Sequence, residues 1–334
     1  MKKYFSFFAV LCFSLTVYGM QQSAVDPAGP QAGQIDTLWR AMLYLLTAIF
    51  IVVMIVLALA TFRRRSSTEA GDVVTRERRM SRTVTAGVLT TGAILFVLLV
   101  SSFLVGRAIH SNPASSDVLI VDVNARQWWW DIRYNNPVPS QIVTTANEIH
   151  IPVGRPVKFR LNSADVIHSF WVPNLHGKTD MIPGRTLETW LQADRAGVYR
   201  GQCAEFCGHQ HAHMAFVVVA EPVEQFQAWY QAQLQNAPAP ATESQINGQK
   251  VFLSKPCFMC HRIQGTDAGG RVGPDLTHVG SRQTIAAGTL QNTRDHLTKW
   301  ITNSQDIKPG NRMPPMPIDN NELNALLDYL QSLK

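Results

Sequence analysis

The chain has 334 residues, of which 46% are hydrophobic and 16% charged, against about 25% charge in an ordinary soluble protein. Such a length suggests two or three domains, and such a composition argues against a wholly soluble chain. The net charge of +6 is local: residues 63–82 hold seven Arg against three acids, while residues 110–236 hold nine basic and eleven acidic residues. Nothing in this pattern calls for a nucleic-acid partner.

Met1-Lys2-Lys3 and the apolar run from Tyr4 to Val17 read as a secretory signal peptide, residues 1–19, with small residues at its end. Residues 20–40 are an external segment, of which 20–37, polar and rich in Gly, Pro and Gln, are expected to be mobile. Residues 41–62 and 83–106 are two uncharged runs, each long enough to cross a bilayer as a helix. The Arg-rich stretch 63–82 between them belongs on the cytoplasmic side by the positive-inside rule. The expectation is a helical hairpin in the lipid bilayer with everything after His110 exported. That places the rest in the periplasm, or the equivalent outer space, of a bacterial inner membrane.

From Asp117 the pattern changes to short alternating segments: Val118–Val123, Glu148–Val153, Val157–Leu161, Leu187–Gln192, Val198–Gly201 and Ala215–Ala220. Turn residues separate them, which predicts an antiparallel β-sandwich or barrel over 110–235, closed by a short helix over 222–234. Three adjacent tryptophans, Trp128, Trp129 and Trp130, would alternate faces on a strand, so at least one is expected in the core.

Within this region lies Cys203-Ala204-Glu205-Phe206-Cys207-Gly208-His209-Gln210-His211-Ala212-His213-Met214. Thiolate, imidazole and thioether together are a soft donor set that selects copper. Two cysteines suit a pair of copper ions sharing their sulfurs, and each ion then needs its own nitrogen. His211 is one, and His168 is the candidate for the other. A disulfide would leave the His and Met without a purpose, and zinc makes little use of Met.

Residues 236–243, alternating Ala and Pro at their start, form a semi-stiff linker. Residues 244–334 begin a new domain with Cys257-Phe258-Met259-Cys260-His261, the attachment sequence for a c-type haem. The thiols bind the haem and His261 reaches its iron. Helices are expected over 247–254, 296–302 and 321–333, the last with Leu323, Leu326, Leu327 and Leu330 at helical spacing. A sixth iron ligand could come from Met313 or Met316, with His278 and His296 as further alternatives. The remaining histidines, His110, His150, His176, His209 and His213, read as surface residues or as supports. Copper and haem chemistry then use every cysteine except Cys12 in the signal peptide.

The cysteine stretch, together with His168-Ser169-Phe170-Trp171-Val172-Pro173 and Lys178-Thr179-Asp180-Met181-Ile182-Pro183-Gly184-Arg185, resembles subunit II of cytochrome c oxidase from about Trp39 to Ala220. The C-terminal part, with Gly273-Pro274-Asp275-Leu276, resembles a class I cytochrome c. The combination is that of caa-type oxidases. The resemblance implies a two-helix transmembrane hairpin, an all-β cupredoxin-like Greek-key barrel and an all-α cytochrome c domain. It implies a binuclear CuA centre bridged by Cys203 and Cys207, with His168 and His211 as terminal ligands. Met214 and the Glu205 carbonyl would be weak ligands, and the Glu205 side chain would reach a magnesium ion at the border with subunit I. It gives Trp128 the passage of electrons to CuA, and Met313 the sixth position on the iron.

The implied function is to accept electrons from cytochrome c through haem c and CuA. They would pass to subunit I, beside subunit III, where oxygen is reduced to water and protons are pumped. A nitric oxide reductase subunit and a membrane-tethered electron carrier are the alternatives. In many relatives a Glu opens the second helix at a proton path. Here Arg78-Arg79-Met80-Ser81-Arg82 occupies that place, and Glu77 reads as a loop charge.

Overall fold

A computed structural model describes residues 22–62, 73–110 and 118–334. The expected signal peptide, Cys12 and the first half of the Arg-rich stretch lie outside these residues. Helices α1 (Pro30–Phe62) and α2 (Val73–His110) pack side by side. With 33 and 38 residues they run about 50 and 57 Å at 1.5 Å per residue. Both have spans long and apolar enough to cross a membrane. Both also begin earlier than the loss of charge suggests. Arg, Glu and Met in residues 76–82 are good helix formers, so α2 starts ten residues before the uncharged run; Glu77 is an exposed residue near its start.

The segment expected to be mobile is instead tied to the β-domain. The Ala28 N–H donates to the Asn174 carbonyl at 2.7 Å, and the Ala28 carbonyl accepts from Asp194 N–H at 2.7 Å. Ala28, Gln31 and Ala32 are buried. Gly29 is required at this crossing, because a Cβ there would lie 2.2 Å from the Gln192 carbonyl oxygen.

The β-domain has ten strands: β1 (Leu119–Arg126), β2 (Trp129–Asn135), β3 (Val143–Ala146), β4 (Glu148–Pro152), β5 (Val157–Ser163), β6 (His168–Trp171), β7 (Thr179–Met181), β8 (Leu187–Leu191), β9 (Gly197–Cys203) and β10 (Ala215–Glu221). They form two five-stranded sheets, ordered β3-β2-β1-β5-β8 and β4-β10-β9-β6-β7. Pairs β1–β5 and β4–β10 are parallel and the rest antiparallel, the mixed pattern of a cupredoxin-like sandwich. β2 and β6, which the alternation did not mark out, are where Trp130 and His168 sit.

The sandwich core is aromatic. Phe170 stacks on Phe216 at 4.7 Å, and Trp130 meets Phe216 edge-on at 4.9 Å. The tryptophan run is thereby divided: Trp130 is fully buried, Trp129 lies under the Arg126 guanidinium, and Trp128 stands in the two-residue turn joining β1 to β2. Helix α3 (Val223–Gln233) closes the sandwich, with Trp229 stacked on His150.

The C-terminal domain is built on α4 (Glu243–Ser254), α5 (Cys257–Cys260), a two-stranded ribbon β11 (Thr284–Ile285) and β12 (Leu290–Gln291), α6 (Arg294–Thr302), α7 (Ser304–Ile307) and α8 (Asn320–Ser332). Thr242 and Gln245 form a reciprocal capping box that starts α4. Gly248 lets α4 cross α8: a Cβ would lie 2.0 Å from the Ala325 carbonyl. The leucines at helical spacing on α8 are buried in this crossing, as the periodicity requires.

The linker does not hold the two domains apart. The Ala237 N–H donates to the Gln264 carbonyl at 3.0 Å, and the Gln283 N–H donates across to the Glu148 carboxylate at 2.9 Å. Ala215 N–H donates to the Ala287 carbonyl at 2.9 Å. The haem-type domain is thus docked on the β-sandwich.

Candidate metal centres

Strand β6 delivers His168 and strand β9 delivers Cys203, paired through Phe170. The loop after β9 returns Cys207, His211 and Met214 to the same point. The ligand atoms of His168, Cys203 and Cys207 all lie within 4.8 Å of one another. Cys203 Sγ is 3.8 Å from His168 Nδ1, and Cys207 Sγ is 3.7 Å from His211 Nδ1 and 3.8 Å from Met214 Sδ. The Glu205 carbonyl is 3.1 Å from Cys203 Sγ. Six donors from five side chains and one carbonyl therefore converge. His168 and Met214 are 0% exposed, and each cysteine is 2% exposed.

The two thiols lie close enough to set each other's protonation. Donation from Cys207 pulls Cys203 down to about 4 and leaves Cys207 well above the ordinary thiol range. A soft cation placed between them would replace that proton, which is how a thiolate-bridged metal binds. The donor set fits copper. The Glu205 carboxylate turns away, accepting from Phe206 N–H at 3.3 Å. Among the described residues His168, Cys203 and Cys207 are the one cluster of His, Cys, Asp or Glu suited to a metal. Glu205 belongs to no such cluster among the described residues.

Two supports went unnoticed in the sequence. Asp165, three residues before His168, accepts from the ring Nε2 at 2.8 Å and from Gln127 N–H at 2.7 Å. The contact fixes the tautomer that leaves Nδ1 facing the sulfurs. Gln210 Nε2 donates to the Pro309 carbonyl at 2.7 Å while its Oε1 accepts from His213 Nδ1 at 2.9 Å. His213 therefore braces the domain contact, not the copper donors. His150 and His176, read as surface residues or supports, are buried.

Trp128 joins the two centres. Its Nε1 donates to the Cys207 carbonyl at 2.9 Å, and Gln127 Nε2 donates to the same oxygen at 2.8 Å. Trp128 also lines a cavity of about 460 Å³ whose walls come from both the β-domain and the docked domain. Cys257, Cys260, His261 and Met313 line that cavity as well, and both cysteines are free thiols. His261 Nδ1 donates to the Pro274 carbonyl at 2.7 Å, so Nε2 keeps its lone pair. Burial holds this imidazole below its usual pKa, so the ring is neutral. Gly273 is packed against the ring: a Cβ would lie 2.6 Å from Cε1.

An apolar cavity with two thiols, a neutral imidazole and a thioether on its walls fits a covalently held haem. Met313 and Met316 both line it, whereas His278 and His296 do not. The Met313 carbonyl is held by Ser304 Oγ at 2.6 Å and Gln305 Nε2 at 3.0 Å.

The family described as cytochrome C oxidase subunit II, periplasmic domain, matches residues 135–221, and the cytochrome c family matches residues 245–334. Cytochrome c oxidase subunit 2 of Alkalihalophilus pseudofirmus is 33% identical over 320 residues, covering 93% of this chain and 91% of the relative. The protein of the same name from Bacillus sp. (strain PS3) is 34% identical over 241 residues, covering 68% of this chain and 66% of the relative. Among solved structures, the periplasmic domain of subunit II of cytochrome oxidase (CoxB) of Bradyrhizobium japonicum is 29% identical, with a TM-score of 0.33. It covers 36% of this chain and 95% of that one.

Proposed function

This chain belongs to the cytochrome c oxidase subunit 2 family, and from that premise we propose that it takes electrons from a cytochrome c and delivers them to the haem-copper subunit I of an oxidase. It is a membrane-anchored oxidoreductase component with a periplasmic domain. In the proposal subunit I reduces oxygen to water and couples this to proton pumping, with subunit III alongside in a bacterial inner membrane.

Cys257 and Cys260 would hold haem c, with His261 and Met313 on its iron. Cys203 and Cys207 would bridge the CuA pair, His168 and His211 would bind one ion each, and Met214 and the Glu205 carbonyl would be weak ligands. When bound, these groups supply one-electron redox chemistry. The protein's part is to hold and shield them. Near-complete burial of the cysteines and His168 excludes water, so little solvent rearranges as charge changes. Asp165 fixes one imidazole and the Pro274 carbonyl fixes another. A magnesium ion at Glu205 would need its other ligands from a neighbouring subunit.

The observation that carries the reading is the position of Trp128, bonded to Cys207 and also lining the cavity that both domains wall. The test is purification of the intact complex with metal analysis, EPR and turnover assays. The reading expects covalent haem, a binuclear copper signal and oxygen uptake with a cytochrome c donor. A chain that purifies alone, lacks copper, or comes with a partner turning over nitric oxide but not oxygen would contradict it.

A further inference from the structure

Lys308 is 3% exposed and forms no ion pair among the described residues. Its Nζ donates to two backbone carbonyls, Trp128 O at 2.9 Å in the β-domain and Ala286 O at 3.3 Å in its own domain. Burying a lysine amine without an ion-pair partner is costly, and burial pushes this one down to about 7, so its presence calls for a reason beyond packing.

The loop it begins supplies one. The Lys308 carbonyl accepts from Asn311 N–H at 3.1 Å and from Asn311 Nδ2 at 2.7 Å. Asn311 Oδ1 in turn accepts from Met313 N–H at 2.8 Å. A short chain of hydrogen bonds thus runs from the Trp128 backbone through Lys308 and Asn311 to the Met313 backbone.

The acceptor side is built for the same contact. Ala286 and Ala287 have φ of 53° and 57°, a left-handed conformation that non-glycine residues seldom adopt. Their carbonyls are the acceptors for Lys308 Nζ and for Ala215 N–H. Strained backbone of this kind persists where its surroundings fix it.

We propose that Lys308 is a positioning residue for transfer between the two centres, pinning the Met313 loop onto Trp128. This rests on the function proposed above. Transfer rates fall steeply with separation, so a loop displaced from Trp128 slows the step without removing either group.

The test compares wild type with Lys308→Met and Lys308→Gln in the assembled complex. The haem is reduced by rapid mixing with donor, electron arrival at copper is followed, and hydrogen exchange is read by mass spectrometry. The neutral variants should keep haem attachment and copper EPR but transfer from haem to copper at least tenfold more slowly. The peptides holding Ala215 and Gln283, whose amides bond across the contact, should lose protection while α4 and α8 keep theirs. Unchanged rate and protection would overturn the proposal. So would loss of haem in both variants, because Lys308 would then serve its own domain's fold. If wild type itself shows no haem-to-copper transfer, the functional reading fails too, and the exchange data still report whether Lys308 pins the contact.

Discussion

The indole Nε1 of Trp128 donates to the backbone carbonyl of Cys207 at 2.9 Å, and Trp128 also lines the cavity that Cys257, Cys260 and His261 border. One residue therefore touches a proposed copper ligand's own residue and lines the proposed haem site. Gly208 makes room for it. Its φ is +108°, and a Cβ there would lie 3.0 Å from Gln127 Nε2 and 3.2 Å from Trp128 Cζ2. The docked domain touches Trp128, so in the proposed function a soluble donor would meet that domain first.

Asp165 should matter to copper without touching it. Replacing it with Ala frees the His168 ring to rotate and change tautomer, and losses of about 10–100-fold in metal affinity are typical for such supports. Competition with a copper chelator measures this. Wild-type affinity in Asp165→Ala would show that packing alone orients the ring.

Met313→Leu should leave the haem covalently attached but abolish the methionine-dependent charge-transfer band of the oxidised iron and lower its potential. Met316→Leu should change neither. The reverse pattern would move the sixth ligand to Met316, since both side chains line the cavity.

His150 sits between two carboxylates, with Nδ1 2.8 Å from Glu221 and Nε2 3.1 Å from Glu148. Burial would lower its pKa, but the two hydrogen bonds and charges outweigh that and raise it. A raised histidine contributes stability that is fully present below about pH 6.5, its unfolded value, and is lost as pH rises through the folded value. Because Glu148 also accepts from Gln283, the loss should reach the domain contact. Thermal unfolding of wild type and His150→Gln should differ most below pH 6.5 and converge only as pH rises through the raised folded value. A pH-independent difference would mean that the imidazolium is not what stabilises the cluster.

The sequence is most readable where function needs fixed local spacing. Cys203 through Met214 and Cys257 through His261 each bring several donors together within one short stretch of chain, so their chemistry shows without a fold. The apolar runs of α1 and α2 are likewise plain, though good helix formers carry both helices past the limits that charge suggests. What is hidden depends on contacts distant in the chain. Lys308 and Trp128 are 180 residues apart, and a lysine in a Pro-Gly loop reads as surface. Residues 22–32 read as mobile because their partners, Asn174, Leu175 and Asp194, come much later. Strand β6 is four residues long, too short for alternation to show. Asp165 stood beside His168 in the sequence, and its spacing of three was the available signal.

The most direct measurement is the rate at which an electron placed on the haem domain reaches copper in Trp128→Phe. Phenylalanine keeps a ring in the turn but removes the N–H that bonds Cys207. The account predicts intact haem, intact copper EPR, unchanged reduction of the haem by donor, and at least tenfold slower arrival at copper. Arrival at the wild-type rate, with both centres loaded, would contradict it.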